Sequence, residues 1–317
     1  MRGRDTKGQT CYICTQALHW KTKEGLVRGC ACRGTAGFAH VSCLAEEAKI
    51  LVAEVEENNL DNKVLNERIQ RWAICGLCEQ EYHGVVRCAL GWACWKTYVG
   101  RPETDKLRCY AIGLLGTGLS EAGHHENALS VQKAELFLMW RIGDSESNIL
   151  IAQGNLATTY DQLGRSEEAL TMRRDVYSGW LKLQGEEHPE TLRAANNYAN
   201  SLICTELFEE ARQVFRLNIP AARRVLGDND ESMIAMRRNY AMTLYKDEGT
   251  TLDDLREAVT TLEDIDPIAR RVLGGAHPLV AGIEISLRYA RAALAAREGD
   301  DVSSVCDAVA AMAPGDA

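Results

Sequence analysis

The C-terminal two thirds of the chain place apolar and polar positions at helical spacing, and one pattern recurs at a fixed interval. The segments GNLATTYDQLGRSEEAL, NNYANSLICTELFEEAR and RNYAMTLYKDEGTTLDDLREAV repeat one arrangement, in which Asn155, Asn197 and Asn239 stand 42 residues apart. Each copy reads as two amphipathic helices joined by a short turn, and Gly164 suits that turn. The pattern predicts a mostly α protein built from stacked helical pairs.

Short segments that contain glycine or proline connect these copies. They read LQGEEHPETL, LGDNDESM and LGGAHPLV, so a glycine can end one helix and Pro189 or Pro278 can open the next. Small residues occupy the positions where paired helices must approach closely. These residues are Ala157, Ala169, Ala199 and Ala211. The features resemble an α-solenoid of tetratricopeptide repeats over about residues 110–297, and the long period with its LG..HP punctuation is similar to the kinesin light chain subclass.

The resemblance implies a face for binding a peptide, lined by the first helix of each pair. It places Asn155, Asn197 and Asn239 on that face, with Arg193 one turn before Asn197. One hypothesis is a ladder of asparagines that hydrogen-bonds an extended peptide while Arg193 binds an acidic group. The alternative, favoured for at least one of the three, is that the asparagines satisfy backbone groups between adjacent helices.

The charge balance narrows the classes of function. The 317 residues carry a net charge of −9 with a pI of about 5.4, which argues against nucleic acid as the main partner. The longest apolar segments are too short or too interrupted to span a bilayer, and the first ten residues contain no apolar stretch typical of a secretory signal. We expect a soluble protein of the cytoplasm or nucleus, with no membrane span and with reduced thiols.

The N-terminal quarter carries a different signal, an ordered set of metal-ligand residues. Zinc takes four ligands in a tetrahedron, and a C-x2-C pair lets one short turn give two thiolates to the same ion. Two such pairs flank a C-x-C pair and an H-x2-C pair. Eight ligands make two closed sites, which are structural rather than catalytic. The eight are Cys11, Cys14, Cys30, Cys32, His40, Cys43, Cys75 and Cys78.

Ligand spacing separates two families that share this order of cysteines and histidine. In CACRGTAGFAHVSCL one residue lies between the third and fourth cysteines, and the histidine follows the fourth by eight positions. This spacing resembles a RING-CH domain rather than a PHD finger, and Leu44 and Tyr82 also fit RING-CH. The resemblance covers about residues 9–84 and implies a cross-brace of two zinc ions. It assigns one ion to Cys11, Cys14, His40 and Cys43, and the other to Cys30, Cys32, Cys75 and Cys78.

RING-type domains are ubiquitin ligases that form no covalent intermediate, so the resemblance implies no catalytic nucleophile. It implies a ubiquitin-conjugating enzyme as partner, contacted by Ile13, with Gly76 and Leu77 completing a shallow groove. Two positions depart from the family pattern: Glu79 stands where many active RING domains have an arginine, and Glu47 where RING-CH domains commonly have a tryptophan. The leading hypothesis is a ubiquitin ligase whose repeats bind a substrate or partner. The alternative is a non-catalytic adaptor in which zinc only folds a small interaction module.

These signals divide the chain into four parts. We expect a zinc domain over residues 1–84 with a helical insertion at about residues 44–72, followed by a helical connector over residues 85–109. The repeat solenoid follows over residues 110–297, and residues 298–317 are expected to form a disordered tail or a weak helix.

Overall fold

The computed structural model describes the backbone of residues 6–275 and 277–312, and side chains as far as residue 299. Twelve α-helices make up most of this part of the chain, so the mostly α fold is confirmed. None of the described helices is both long enough and apolar enough to cross a membrane. The helices are α1 (Val41–Glu57), α2 (Asn62–Ile69), α3 (Gly84–Tyr98), α4 (Lys106–Glu121), α5 (His125–Ile142), α6 (Glu146–Gln162), α7 (Ser166–Gln184), α8 (Pro189–Cys204), α9 (Phe208–Leu226), α10 (Glu231–Lys246), α11 (Leu252–Leu273) and α12 (Pro278–Met312).

Local sequence explains where the helices begin and end. Asp105, Asp230 and Thr251 each precede a helix, and their side-chain oxygens accept hydrogen bonds from N–H groups of its first turn. Pro189 opens α8, at a position where the missing N–H costs nothing. Gly227 ends α9 with a φ of 78°, which glycine adopts without steric cost. The segments between repeats therefore act as the sequence predicts.

Helices α7 to α12 form one compact unit, Ser166–Ala317. Each helix packs on the next in chain order, and α10 also contacts α8 and α12, which are the first helices of the neighbouring pairs. The core between them is apolar, with Phe215 and Leu262 among its buried side chains. Ala199 and Ala211 have no exposed surface, so the small residues lie where the helices meet, as predicted.

The other compact unit, Met1–Arg165, contains the metal-ligand residues and α1 to α6. Helix α3 takes part in two of its cores. Val86 and Leu90 pack into the core around the ligand residues. One and two turns further on, Cys94 and Tyr98 pack into a second core with residues of α1 and α4.

Helices α3 and α4 approach so closely that their contact needs glycine. A Cβ built on Gly118 of α4 would lie 2.9 Å from the Cα of Cys88, and one built on Gly91 of α3 would lie 3.0 Å from the carbonyl oxygen of Leu114. Both clashes are with backbone atoms, which cannot move aside as a flexible side chain can. Helix α3 is therefore part of the metal-ligand region and of the first helical layer at once.

The sequence-based boundaries can be set beside these elements. Residues 44–72 are helical, as α1, α2 and a 3-10 turn at Gln70–Trp72. Trp72 is fully buried, with its ring edge-on to that of Tyr98 at a centroid distance of 6.0 Å. The described backbone stays helical through residues 298–312, and residues 313–317 lie outside the described residues. The domain boundaries drawn from the sequence stay a prediction.

Candidate metal centres and the adjoining groove

Two groups of four ligand side chains come together in the first unit. Within each group the ligand atoms all lie within 4.8 Å of one another. One group is Cys11, Cys14, His40 and Cys43, and the other is Cys30, Cys32, Cys75 and Cys78. These are the two sets that the RING-CH resemblance implies. Their members alternate along the chain in pairs, so each ion would tie together segments that are distant in sequence.

Distances within the groups match a shared tetrahedral ion. His40 Nδ1 lies 3.4 Å from the Sγ of Cys14 and 3.6 Å from the Sγ of Cys43. The Sγ atoms of Cys32 and Cys75 are 3.8 Å apart. A tetrahedral zinc with Zn–S of about 2.3 Å and Zn–N of about 2.0 Å gives N–S and S–S separations of about 3.5 and about 3.8 Å. A disulfide would bring the sulfurs to about 2.05 Å, so these thiols are free of disulfides and could hold a metal ion.

His40 is held in the orientation that a metal ligand needs. Its side chain is buried, and its Nε2 lies 3.4 Å from the carbonyl oxygen of Ala17. A proton on Nε2 that is donated to this carbonyl leaves Nδ1 free to bind a metal beside the thiols. The ring of His19 packs edge-on against that of His40, with 5.4 Å between centroids. The imidazole is therefore fixed from two sides.

The two C-x2-C pairs lie on matching turns. The N–H of Thr15 donates to the carbonyl of Cys11 at 2.8 Å, and the N–H of Glu79 donates to that of Cys75 at 3.0 Å. Thr15 and Glu79 both have positive φ, 61° and 56°, a conformation that residues other than glycine rarely adopt. The two pairs thus use the same local backbone to bring two sulfurs to one point.

Gly37 makes room for the second group. Its φ is 78°, and a Cβ at this position would lie 2.5 Å from the Cβ of Cys32 and 3.3 Å from the Sγ of Cys30. A methyl group there would displace at least one of the two thiols, because carbon atoms do not approach so closely without a shift.

The thiols have perturbed acidities. Burial raises the pKa of Cys43 and of Cys32 far above the ordinary value for a thiol. At Cys78 a hydrogen bond with the backbone of Gln80 lowers the pKa to about 7. Metal binding needs thiolates, so a bound cation would offset the cost of burying them.

An apolar groove of about 360 Å³ opens beside the first group, between the loop after Cys14 and helix α1. Three large apolar side chains lie along it with exposed surface: Ile13 is 37% exposed, Trp20 is 70% exposed and Ile50 is 49% exposed. Glu46 and Glu47 of α1 complete the lining. Exposed apolar surface gathered in one concave place is typical of a protein-binding site.

Of the three predicted contact residues, one lines this groove and a second lies close to it. Ile13 lines it, and a Cβ on Gly76 would lie 3.8 Å from Oε1 of Glu47, which also lines it. Leu77 is half exposed. Sequence reasoning missed Trp20, which has no periodic pattern around it. The one available signal is that HWKTKEG puts a lone aromatic residue in a polar loop.

The repeat asparagines are not equivalent. In the first unit Asn155 is exposed, and in the second unit Asn197 is exposed one turn after the exposed Arg193. Asn239 is 8% exposed, and its Nδ2 donates to Oδ1 of Asn196 at 3.3 Å. Asn239 therefore links α10 to α8, as the alternative interpretation expects for at least one asparagine, although its partner is a side chain and not a backbone group.

Both parts of the chain resemble known proteins. A RING-variant domain model matches residues 11–58, and a tetratricopeptide repeat model matches residues 148–221. Among solved structures, the kinesin light chain TPR-like repeats of Podosopora anserina are 17% identical at a TM-score of 0.49, over 73% of this chain and 97% of that chain. BtubC of P. vanneervenii is 14% identical at a TM-score of 0.49, over 88% of this chain and 96% of that chain. No curated protein matches the chain significantly.

The RING-variant match contains six of the eight ligand residues and ends one residue after α1. The repeat match begins in α6 and ends in α9. The chain thus combines a RING-variant domain, whose region holds two side-chain groups that could bind metal ions, with tetratricopeptide repeats.

Proposed function

We propose that this chain is a RING-type ubiquitin ligase. It binds two zinc ions, recruits a ubiquitin-conjugating enzyme and promotes ubiquitin transfer to a substrate lysine, while the repeats bind the substrate or another partner. The observation that carries the proposal is the apolar groove with Ile13, which adjoins the first ligand group inside the segment that matches a RING-variant domain.

Zinc suits both ligand groups. Seven thiolates and one imidazole are soft or borderline donors, and four such ligands per ion leave no open position for a substrate. The ions therefore fold the domain and take no part in bond making. Cys11, Cys43 and Cys75 are themselves buried members of the small core around the ligands, so metal binding supplies much of the free energy that folds this region.

The groove would promote ubiquitin transfer by positioning the conjugating enzyme. A conjugating enzyme that covers Ile13, Trp20 and Ile50 buries apolar surface, which contributes about 25 cal/mol per Å². Bound there, its ubiquitin thioester is held for attack by the substrate lysine, and this pre-organisation lowers the entropic cost of the reaction. The chain needs no nucleophile or general base of its own.

Two observations favour a second function, that of a non-catalytic adaptor. Glu79 follows the last ligand with its side chain on the turn, at the position where many active RING domains carry an arginine. Glu47 lines the groove where RING-CH domains commonly carry a tryptophan. In an adaptor the groove would hold a protein that carries no ubiquitin.

The test is a reconstituted ubiquitin-transfer assay with the full chain, shown to hold two zinc ions, against a panel of conjugating enzymes. Ile13→Ala and Trp20→Ala should each lower the transfer rate at least tenfold. Val85→Ala is the matched control, because Val85 is exposed but lies outside the groove. Cys30→Ser should abolish transfer by removing a ligand of the second ion.

Transfer that proceeds unchanged in both groove variants would refute the role of the groove. A wild-type chain that holds two zinc ions and transfers no ubiquitin with any enzyme of the panel would favour the adaptor.

A further inference from the structure

Helix α5 carries two aromatic residues at positions where the second helices of the other pairs have none. A fully buried alanine aligns these helices, and it is Ala128 in α5 and Ala169, Ala211 and Ala258 in α7, α9 and α11. Counted from this alanine, α5 has Phe137 nine residues later and Trp140 twelve residues later. The first position is Ser178, Pro220 and Pro267 in the other helices, and the second is Leu181, Arg223 and Arg270.

Both aromatic side chains of α5 lie on the surface. Phe137 is 63% exposed and Trp140 is 56% exposed. Because the other second helices pack with polar residues, leucine or proline at these positions, stacking of the repeats does not need an aromatic ring here. Exposed aromatic side chains that lie close together are typical of a protein-binding surface.

The two aromatic residues belong to a strip of five exposed residues. Successive residues of a helix are about 100° apart, so Phe137 lies at the centre of the strip. Lys133 and Trp140 lie on one edge, and Ala134 and Arg141 lie on the other. The name α5 strip is used below for Lys133, Ala134, Phe137, Trp140 and Arg141.

The centre of the α5 strip is held in place from one side. The guanidinium carbon of Arg141 lies 5.9 Å from the centroid of the Phe137 ring. Arg141 in turn pairs with Glu103, which precedes α4. An aromatic side chain that is already ordered loses little conformational entropy when a partner covers it. The strip is therefore prepared for binding.

The α5 strip is complementary to itself. When two α5 helices pack antiparallel about a two-fold axis at Phe137, the two Phe137 rings meet at the axis. Residues at similar distances before and after Phe137, on the same edge of the strip, then face each other. Trp140 is three residues after Phe137 and faces Lys133 of the second copy, which is four residues before it. An ammonium group over an indole ring is a favourable cation–π contact.

The other edge of the strip also fits this arrangement. Ala134 faces Arg141 of the second copy, and its small side chain leaves room for the ion pair between Arg141 and Glu103. In each copy the ammonium of Lys133 also lies 5.5 Å from the centroid of the Tyr160 ring. In the pair this ammonium would thus lie beside aromatic rings of both copies.

The exposed area indicates how strong this association is. An aromatic side chain offers about 150–250 Å², so the exposed parts of Phe137 and Trp140 leave roughly 250 Å² of apolar surface on each copy. A pair would bury about 500 Å² of it in addition to the edges, which is at the small end for protein interfaces. We therefore expect a reversible dimer at micromolar concentrations.

We infer that the α5 strip is a dimer interface, occupied by a second copy of this chain in the antiparallel arrangement. The inference goes beyond the proposed function and does not depend on it. Because α5 and the metal-ligand residues belong to the same unit, a dimer would carry two copies of the groove beside the first ligand group.

The experiment is sedimentation equilibrium of the full zinc-loaded chain between about 1 and about 200 µM, where a small interface associates. The wild type should change from monomer to dimer within this range. Phe137→Ser and Trp140→Arg introduce residues that the other second helices carry, so they should leave the melting temperature unchanged and raise the dimer dissociation constant at least tenfold. Leu217→Ser is the matched control, because Leu217 is 68% exposed on α9 but lies outside the strip, and it should change this constant less than twofold.

Two further variants test the antiparallel arrangement. Lys133→Glu places a carboxylate against the indole face of the second copy, so it should raise the dissociation constant at least fivefold. Replacement of Phe137 by the photo-crosslinker p-benzoylphenylalanine should link α5 of one copy to α5 of the other, because Phe137 lies at the axis. The same photo-crosslinker at Leu217 should give no linked dimer.

A chain that stays monomeric at every concentration would overturn the inference, as would a dimer that is unchanged in Phe137→Ser and Trp140→Arg. A crosslink from position 137 to an element other than α5, or a dimer that Lys133→Glu leaves unchanged, would overturn the antiparallel arrangement. Ubiquitin transfer is measured separately, so failure of the dimer and failure of the ligase are distinguished.

Discussion

Glu135 of α5 allows a quantitative test of packing in the first unit. Its side chain is 8% exposed and lies against α4, where a Cβ on Gly113 would come within 2.5 Å of its Oε1. Burial raises the pKa of this carboxyl from 4.5 to about 7. No basic side chain pairs with Glu135 among the described residues, so the ionised form is unstabilised in the folded state.

The sign of the effect follows from proton binding. Between pH 4.5 and about 7 the folded chain keeps a proton on Glu135 that the unfolded chain has lost, so the free energy of unfolding falls as the pH rises. A difference of one bound proton changes the free energy of unfolding by about 1.4 kcal/mol per pH unit. The folded chain therefore loses about 3 kcal/mol of stability across this pH range. Glu135→Gln keeps the shape and cannot ionise. It should therefore lie within about 1 kcal/mol of the wild type near pH 5 and exceed it by about 3 kcal/mol above pH 8.

The assay is urea unfolding of the zinc-loaded chain from pH 5 to pH 8.5, followed by tryptophan fluorescence. The difference between variant and wild type isolates Glu135, because all other titrating groups are common to both chains. Glu126→Gln, an exposed carboxylate on the same helix, is the control and should change stability by less than about 0.5 kcal/mol at every pH. A Glu135→Gln difference that stays constant with pH would refute the burial of an uncompensated carboxyl.

Three further predictions concern other features. Gly37→Ala should lower bound zinc from two ions to one, because the new methyl displaces a ligand of the second group. Gly34→Ala is also at positive φ but has open space around it, so it should keep both ions. The bound metal is measured by unfolding the chain and titrating the released ions with a chromophoric chelator. Asn239→Ala should lower the free energy of unfolding by about 1 kcal/mol, because it removes a hydrogen bond, and Asn197→Ala should lower it by less than about 0.5 kcal/mol. Urea unfolding measures both values, and equal losses would contradict the different burial of the two side chains. Glu79→Arg should speed ubiquitin discharge to free lysine severalfold if the chain is a ligase, and an unchanged single-turnover rate would show that this position does not limit transfer.

The sequence predicted best those features that depend on residues close together in the chain. A C-x2-C turn fixes two sulfurs within a few residues, and the resemblance supplied the pairing of distant ligands that converge in the structure. The repeat period predicted the helical pairs, since each pair buries the same apolar positions. Helix ends followed from Pro189 and the glycines between repeats.

The pattern of apolar and polar residues could not predict which side chains of different helices and loops contact one another. Asn197 and Asn239 occupy one position of the repeat, yet only Asn239 is buried, because the neighbouring helix offers it an amide partner. Trp20 joins the groove through a loop that has no periodicity.

The double role of α3 affects how the chain could be divided. A stack of helical repeats ends in apolar surface that some other element must cover, and α3 covers α4 through the close contact at Gly91 and Gly118. The same helix inserts Val86 and Leu90 among the metal ligands. Helix α3 thus belongs both to the core around the metal-ligand residues and to the helical layer beside it in this unit. A shortened chain that begins at α4 would therefore expose the apolar side of α4 that α3 covers, and we expect it to aggregate.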